Sequence, residues 1–481
     1  MPGPPHFLKN RPLLAITTGH WLSQLGFGIF VTAMVTWIVL LPMHLRNGDD
    51  NPYVGLAMFV VVPAVLVAGL LLTLLGLRLG RARIAERLAA NVDDRPRALR
   101  RLIVFLIVTA VVNLLIATQV TYRAVHHMES REFCASCHVM TPESTALSPG
   151  PHSALMCVDC HVGSGARGWF ASKLSGTRQL WHVMAGSVTR PIPSAIESGR
   201  LVSSTETCER CHERDKLATI RLRIRRTYAD DEANTPKTTV MTMHVGGARM
   251  GGIHGAHCAA GVEIRFVAND ARRQEIPLVE YTNAATGEHR TYVRSDAKQA
   301  ELANAPRITM QCIDCHNRPA HVFLSPERAV DRGLTLGQMS SSLPGLKKKG
   351  VELLAATYAS RAEAAERIPA ALTGWYREQH PQVFAARGED VAEAGRALAE
   401  IYAHNFFPEL GVDWRTYPDN GGHEASPGCF RCHKGEHTAS TGETITKNCF
   451  KCHGAASVNE TDPEILKALD LNRQIDAMRK K

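Results

Sequence analysis

Twelve of the thirteen cysteines stand in six copies of one pattern, C-x-x-C-H: CASCH at 134–138, CVDCH at 157–161, CERCH at 208–212, CIDCH at 312–316, CFRCH at 429–433 and CFKCH at 449–453. In a chain of 481 residues with 13 Cys and 22 His, random placement gives about 0.02 copies. Two cysteines at i and i+3 can each form a thioether to one vinyl group of a single porphyrin, and the adjacent histidine then faces the iron. The thioether residues are therefore Cys134, Cys137, Cys157, Cys160, Cys208, Cys211, Cys312, Cys315, Cys429, Cys432, Cys449 and Cys452, and the proximal ligands His138, His161, His212, His316, His433 and His453. Zinc knuckles and thioredoxin-like pairs also use C-x-x-C, but neither demands a histidine directly after every second cysteine. Structural disulfides fail on the same point. The expected cofactor is haem c, in six covalently bound copies.

A buried low-spin iron needs a second axial ligand. Met140 follows the first motif histidine by two residues, close enough for its thioether to reach an iron. His152, His321, His423 and His437 each lie within about ten residues of a motif and are the first histidine candidates. His244, His254, His257 and His404 lie further off; of these His244 is taken as a ligand candidate. His126, His127, His182, His289 and His380 are read as non-ligands, and His6, His20 and His44 precede the haem-bearing part. Cys258, outside any motif, is read as a plain buried thiol.

These residues need a scaffold on one side of a membrane. Residues 25–43, 53–77 and 102–120 carry no charge, and each is long enough at 1.5 Å per residue to cross a hydrocarbon core of about 30 Å. The first run has a basic flank in Lys9 and Arg11 but ends in LLPMHLRNG, which is no cleavage site, so it is a retained anchor. The stretch 13–24 is less apolar and reads as an interfacial lead-in. Eight arginines, from Arg78 to Arg101, lie between the second and third runs, against only Arg46 between the first and second. That places the arginine loop and the N-terminus in the cytoplasm and residues 126–481 on the periplasmic side of a bacterial inner membrane. The net charge of +9 is largely this loop, so nucleic acid is not an expected partner.

The expected fold is a membrane-anchored multihaem cytochrome c: three N-terminal transmembrane α-helices, then a mainly α and irregular haem-packed periplasmic domain with a small antiparallel β insertion. Its parts are an anchor at 1–125, three motifs at 126–217, the β-rich insertion at 218–300, a fourth motif at 301–325, a helical region at 326–420 with breaks near Pro369 and Pro381, a compact dihaem module at 421–460 and a charged helical tail at 461–481. Alternation over 218–226, 238–243, 262–268, 276–282 and 289–294 supplies the strands.

CASCHVMTPE after a membrane helix, His152 before CVDCHV, then Gly168, Trp169 and Lys173, and finally CIDCHNRPAH together resemble the NapC/NirT family of membrane-bound multihaem quinol dehydrogenases. The three membrane runs, the insertion before the fourth motif and the two added C-terminal motifs are similar to the larger inner-membrane cytochromes of the ImcH type. The resemblance implies that Met140 is a ligand of the first haem, that His152 and His321 are distal ligands of other haems, and that Lys173 is an axial ligand or a quinol contact. The acidic residue that often follows the family lysine is replaced by RQLWH.

A membrane quinol, menaquinol or ubiquinol, is then the expected substrate, docking where the third helix meets residues 126–140. Glu129, Glu132, His126 and His127 stand ready to take its protons, and the acceptor is a periplasmic cytochrome or terminal reductase. Two rival readings remain: a reductase with one open-coordinate haem for nitrite, hydroxylamine or a sulfur oxyanion, and an electron-transfer subunit of a larger respiratory complex.

Overall fold

The computed structural model describes residues 20–47, 61–89, 95–199, 202–213, 220–247, 251–298, 302–468, 475, 476 and 478. The chain divides into two compact units, Met1–Met128 and Glu129–Lys481.

In the first unit the apolar runs form α1 (Trp21–Asn47), α2 (Val62–Ala89) and α3 (Arg95–Glu129). The windows Trp21–Ile38, Val62–Ala82 and Ile103–Met128 are long and apolar enough to cross a membrane. The lead-in expected up to residue 24 is already helix from Trp21, where the Leu22 amide donates to His20 Nδ1 at 3.2 Å. Residues 13–19, the flank at Lys9 and Arg11, His6, and the expected start of the second span at 53–60 lie outside the described residues, as does the centre of the arginine loop at 90–94.

Close approach of α1 and α2 depends on glycine. A Cβ on Gly26 would fall 2.7 Å from the Gly69 carbonyl oxygen, and one on Gly69 would fall 2.7 Å from the Phe30 amide nitrogen. Small residues at such a crossing let two backbones touch where lipid offers no competing hydrophobic force. Gly69→Leu is accordingly expected to separate α1 from α2. The check is the distance between spin labels at the exposed Leu25 and Leu71, expected to lengthen in the variant.

Among the helices of the second unit ahead of its core are α4 (Gly165–Met184) and the short α5 (Gly252–Cys258). Its strands are β1 (Arg221–Tyr228), β2 (Pro236–Met243), β3 (Val262–Val267), β4 (Leu278–Asn283), β5 (Glu288–Arg294), β6 (Ile308–Thr309), β7 (His437–Ala439) and β8 (His453–Glu460). They build two antiparallel sheets, ordered β1-β2-β8 and β6-β3-β4-β5-β7, where the sequence suggested one. The edges of β2 and β5 are closed by chain from the last two motifs: Met243 pairs with His453, and Arg294 with His437. Residues 421–460 are thus woven into the insertion and do not form a separate module. HTA and HGAASVNE carry no period-2 apolar signal, so their pairing was invisible to alternation.

Beyond the fourth motif come α6 (Pro326–Thr335), α7 (Leu346–Ala355), α8 (Arg361–Gln379) and α9 (Pro381–Asn405). Leu343, Leu346, Ile368, Leu372, Tyr376, Val391 and Leu398 are fully buried among them. Pro369 does not break α8 as its missing amide suggested. It sits where α9 presents Gly395, whose added Cβ would lie 2.9 Å from Pro369 Cα, and the buried stripe Ile368, Leu372, Tyr376 runs straight past it. Pro381 does start α9, at a position where a missing amide costs nothing. The irregularity lies at Arg387 (φ −138°, ψ 34°), whose guanidinium bonds Ser340, Ser342 and Asp390. Of the expected tail, Glu464–Ala468 is helical; most of the chain after Ala468 lies outside the described residues.

Candidate metal centres

From the second to the sixth, each C-x-x-C segment closes into a helical turn, whereas in the first Cys137 is extended (φ −82°, ψ 116°) and separates the helix ending at Ala135 from the turn beginning at His138. The histidine amide donates to the first cysteine's carbonyl in the third, fourth and fifth motifs, at 2.9 Å for His212, 2.7 Å for His316 and 3.0 Å for His433. A turn of this kind puts residues i and i+3 on one side, the arrangement two vinyl groups require. In CVDCH and CIDCH the aspartate reaches back to cap the turn: Asp159 accepts from the Met156 amide at 2.7 Å and Asp314 from the Gln311 amide at 2.8 Å. All thirteen cysteines are unbridged.

Five motif histidines face a second imidazole. The ring centres lie 6.3 Å apart for His161 and His321, 6.1 Å for His212 and His152, 6.1 Å for His316 and His254, 5.8 Å for His433 and His257, and 6.3 Å for His453 and His423. A metal–imidazole bond of about 2 Å on each face, plus roughly 1.2 Å from nitrogen to ring centre, puts two axial imidazoles about 6.4 Å apart. The residues present therefore fit an iron between each pair.

Orientation agrees with spacing. His152 Nδ1 meets the Pro319 carbonyl at 3.1 Å, His321 Nδ1 that of Glu143 at 2.9 Å, His257 Nδ1 that of Ile253 at 2.7 Å and His433 Nδ1 that of Thr446 at 2.7 Å. A ring that donates Nδ1–H to a backbone carbonyl is fixed in the tautomer whose Nε2 carries the lone pair. Burial also holds His161, His254, His257, His316 and His321 below the usual histidine range, favouring the neutral form a metal needs.

Of the sequence candidates, His152, His321 and His423 are each brought to a motif histidine; His437 and His244 are not, among the described residues. His437 is 1% exposed and its Nε2 donates to the Ile276 carbonyl at 2.7 Å, so the ring serves the sheet. His244 closes a sheet end: its amide donates to the Cys452 carbonyl at 2.8 Å and its carbonyl accepts from the Ile253 amide at 2.9 Å. The two positions that nearness in sequence ranked too low are His254 and His257. Their signal was present in the sequence, two histidines at i and i+3 in the glycine-flanked GIHGAHC.

The first motif differs. His138 Nε2 lies 3.0 Å from Arg190 Nη2 instead of facing an imidazole, and Met140 ends the short helix that His138 begins. Lys173 on α4 lies 3.8 Å from Glu129 Oε1 and 5.3 Å from the centre of the Trp169 ring, while Trp169 Nε1 donates to the same Glu129 oxygen at 3.1 Å. The carboxylate beside Lys173 thus comes from 44 positions upstream. The hydrogen bond to Cys157 and burial hold the Cys134 thiol well above its ordinary range, and the nearby Lys173 charge offsets only part of that.

Successive motifs are spatial neighbours. The Cys134 and Cys157 thiols are hydrogen-bonded, and Cys160 is close enough to Cys208 and Cys211 for their charges to oppose its ionisation. Burial pushes the Cys315 thiol up to about 12, with Cys429 and Cys432 adding to the shift, and Cys452 feels Cys429. Between the fourth and fifth motifs the contact is direct. Arg431 donates to the Asp314 carbonyl at 2.6 Å and to the Arg273 carbonyl at 2.8 Å, while Arg273 pairs with the buried Asp314 carboxylate at 2.6 Å.

Residues 97–248 match the model of the NapC/NirT cytochrome c family, N-terminal region. The chain is 36% identical over 438 residues to cytochrome c-type protein ImcH of Geobacter sulfurreducens, covering 89% of this chain and 86% of that protein. Shorter similarities join it to cytochrome c-type protein TorY of Haemophilus influenzae, 23% identical over 25% of this chain and 37% of that one, and to the cytochrome c nitrite reductase subunit NrfH of Nitratidesulfovibrio vulgaris, 26% identical over 18% and 54%. No solved structure matches.

Proposed function

Since the chain belongs to the NapC/NirT family of c-type cytochromes, in its larger ImcH-type form, we propose that it oxidises membrane quinol and passes the electrons through six haems to a periplasmic acceptor. The anchor lies in the inner membrane with the N-terminus cytoplasmic and the haem-bearing unit periplasmic, as the arginine asymmetry supports. The observation that carries the reading is the set of five facing imidazole pairs, each of which would hold one haem iron between two protein nitrogens. At the first site Met140 is the ligand, as the family pattern implies.

Bound haem c supplies an iron that accepts one electron at a time. The chain's own work is at the quinol. Phe170, Leu174, Trp181 and Met184 are exposed at i, i+4, i+11 and i+14, a single apolar face of α4 that suits the bilayer interface. Lys173 and Glu129, beside that face, meet the quinol hydroxyls. The Lys173 ammonium, already engaged by a carboxylate and a π face, acts as a charged contact to quinol oxygen. Glu129 takes the two protons in turn and gives each to water as the quinol becomes quinone and its two electrons leave for the acceptor.

The test uses the full chain in detergent. A menaquinol analogue should reduce haem in it; reduction by dithionite alone overturns the proposal. One observation favours the reductase reading, the placing of Arg190 where a second imidazole stands elsewhere. It predicts nitric oxide binding at one high-spin iron together with turnover of nitrite or hydroxylamine.

A further inference from the structure

We propose that α5 is a two-ligand helix: His254 completes the haem at Cys312–His316 and His257 completes the haem at Cys429–His433, so that one turn of the β-rich insertion joins the fourth and fifth haems. This rests on the six-haem reading above and adds to it an assignment of ligands and of neighbours.

Residues i and i+3 share one face of a helix, with Cβ atoms about 5–6 Å apart. On α5 those two residues serve different motifs, His254 lying 6.1 Å from His316 and His257 5.8 Å from His433. The helix is held on a tight glycine frame. Gly251 and Gly252 adopt φ of 68° and 70°, and a Cβ on Gly252 would come within 2.6 Å of the His244 carbonyl oxygen. His257 Nδ1 is tied to Ile253, which leaves Nε2 for the metal. An independent link binds the same two motifs from the other side, through Arg431 to Asp314 and Arg273. Two such ties, one through imidazoles and one through backbone carbonyls, make the fourth and fifth sites a single rigid pair. They also give the insertion its purpose, since without α5 neither iron would have its sixth ligand.

His437 was the nearer candidate for the fifth motif, four residues after His433. Its Nε2 already donates to the Ile276 carbonyl.

Ferric electron paramagnetic resonance of the full-length protein decides the matter. His254→Ala and His257→Ala are each expected to convert one haem from a low-spin to an axial high-spin signal, and to make that haem bind carbon monoxide when reduced. His257→Met should keep the low-spin count and add a methionine–iron charge-transfer band, which tests the site even where the alanine variant fails to accumulate. His437→Gln should leave the spin count unchanged. Unchanged spin counts in both alanine variants, or a new high-spin haem in His437→Gln, overturn the assignment. Mass mapping of the haem peptides separates the two levels: no haem at 312–316 or 429–433 removes the six-haem reading and this inference together, whereas haem at both sites with unaltered spin states removes this inference alone.

Discussion

Glu129→Gln is expected to slow reduction by quinol about 100-fold while reduction by dithionite stays as fast as in the parent protein, because a positioned general base is worth roughly 10²–10⁴ in rate. Glutamine can still accept the Trp169 indole N–H through its amide oxygen, so the 3.1 Å bond that positions the side chain survives. What is lost is the proton acceptor and the charge 3.8 Å from the Lys173 ammonium. Lys173→Met removes the other partner and should weaken quinol binding first, raising KM more than it lowers kcat. The split matters. Stopped-flow reduction by a menaquinol analogue over a range of concentrations reads both constants, and equal effects of the two variants on dithionite reduction would point to a damaged fold and not to a quinol site.

The sequence displayed the metal chemistry far more openly than its geometry. Covalent haem attachment needs residues contiguous in the chain, so all six motifs could be read directly. Distal ligands come from elsewhere in space, and nearness in sequence is a poor guide to them. His152 and His321 could be found because each stands beside a motif in the chain and fits the family pattern, although the carbonyls that orient their rings, Pro319 and Glu143, lie 167 and 178 positions away. His257 was ranked low because no motif stands near it in the chain, and it reaches His433 only after the insertion has folded back across about 175 residues. The same limit applies to Glu129, whose partner Lys173 lies on another helix. It applies also to β7 and β8, which are strands only because β5 and β2 offer them an edge. The apolar helices, by contrast, are written in composition alone, and only their ends moved.

Lys347→Met should destabilise the second unit by about 3–5 kcal/mol, the usual result of removing one partner of a buried ion pair. Lys347 is 3% exposed; its ammonium donates to Asp331 Oδ1 at 2.7 Å and to the Glu327 carbonyl at 2.8 Å. Asp331 Oδ1 also accepts the Tyr228 amide at 3.1 Å, so the pair ties α6 and α7 to the end of β1. Beside it Asn234, at φ 45° in the turn from β1 to β2, accepts from the Lys347 amide at 2.8 Å and donates to the carbonyls of Ser341 and Leu343. A helical core is therefore bolted to the sheet through two short polar side chains and one lysine. Burial raises the Asp331 carboxyl despite its lysine, which says that the aspartate is costly to keep ionised there. Without Lys347 that cost is uncompensated. Asp331→Asn in the Lys347→Met background removes the stranded charge and keeps an oxygen for the Tyr228 amide, so the double variant should be more stable than Lys347→Met alone. Urea unfolding followed by far-ultraviolet circular dichroism measures both midpoints. A double variant no more stable than the single one would mean that the ion pair is not what fastens these helices to the sheet.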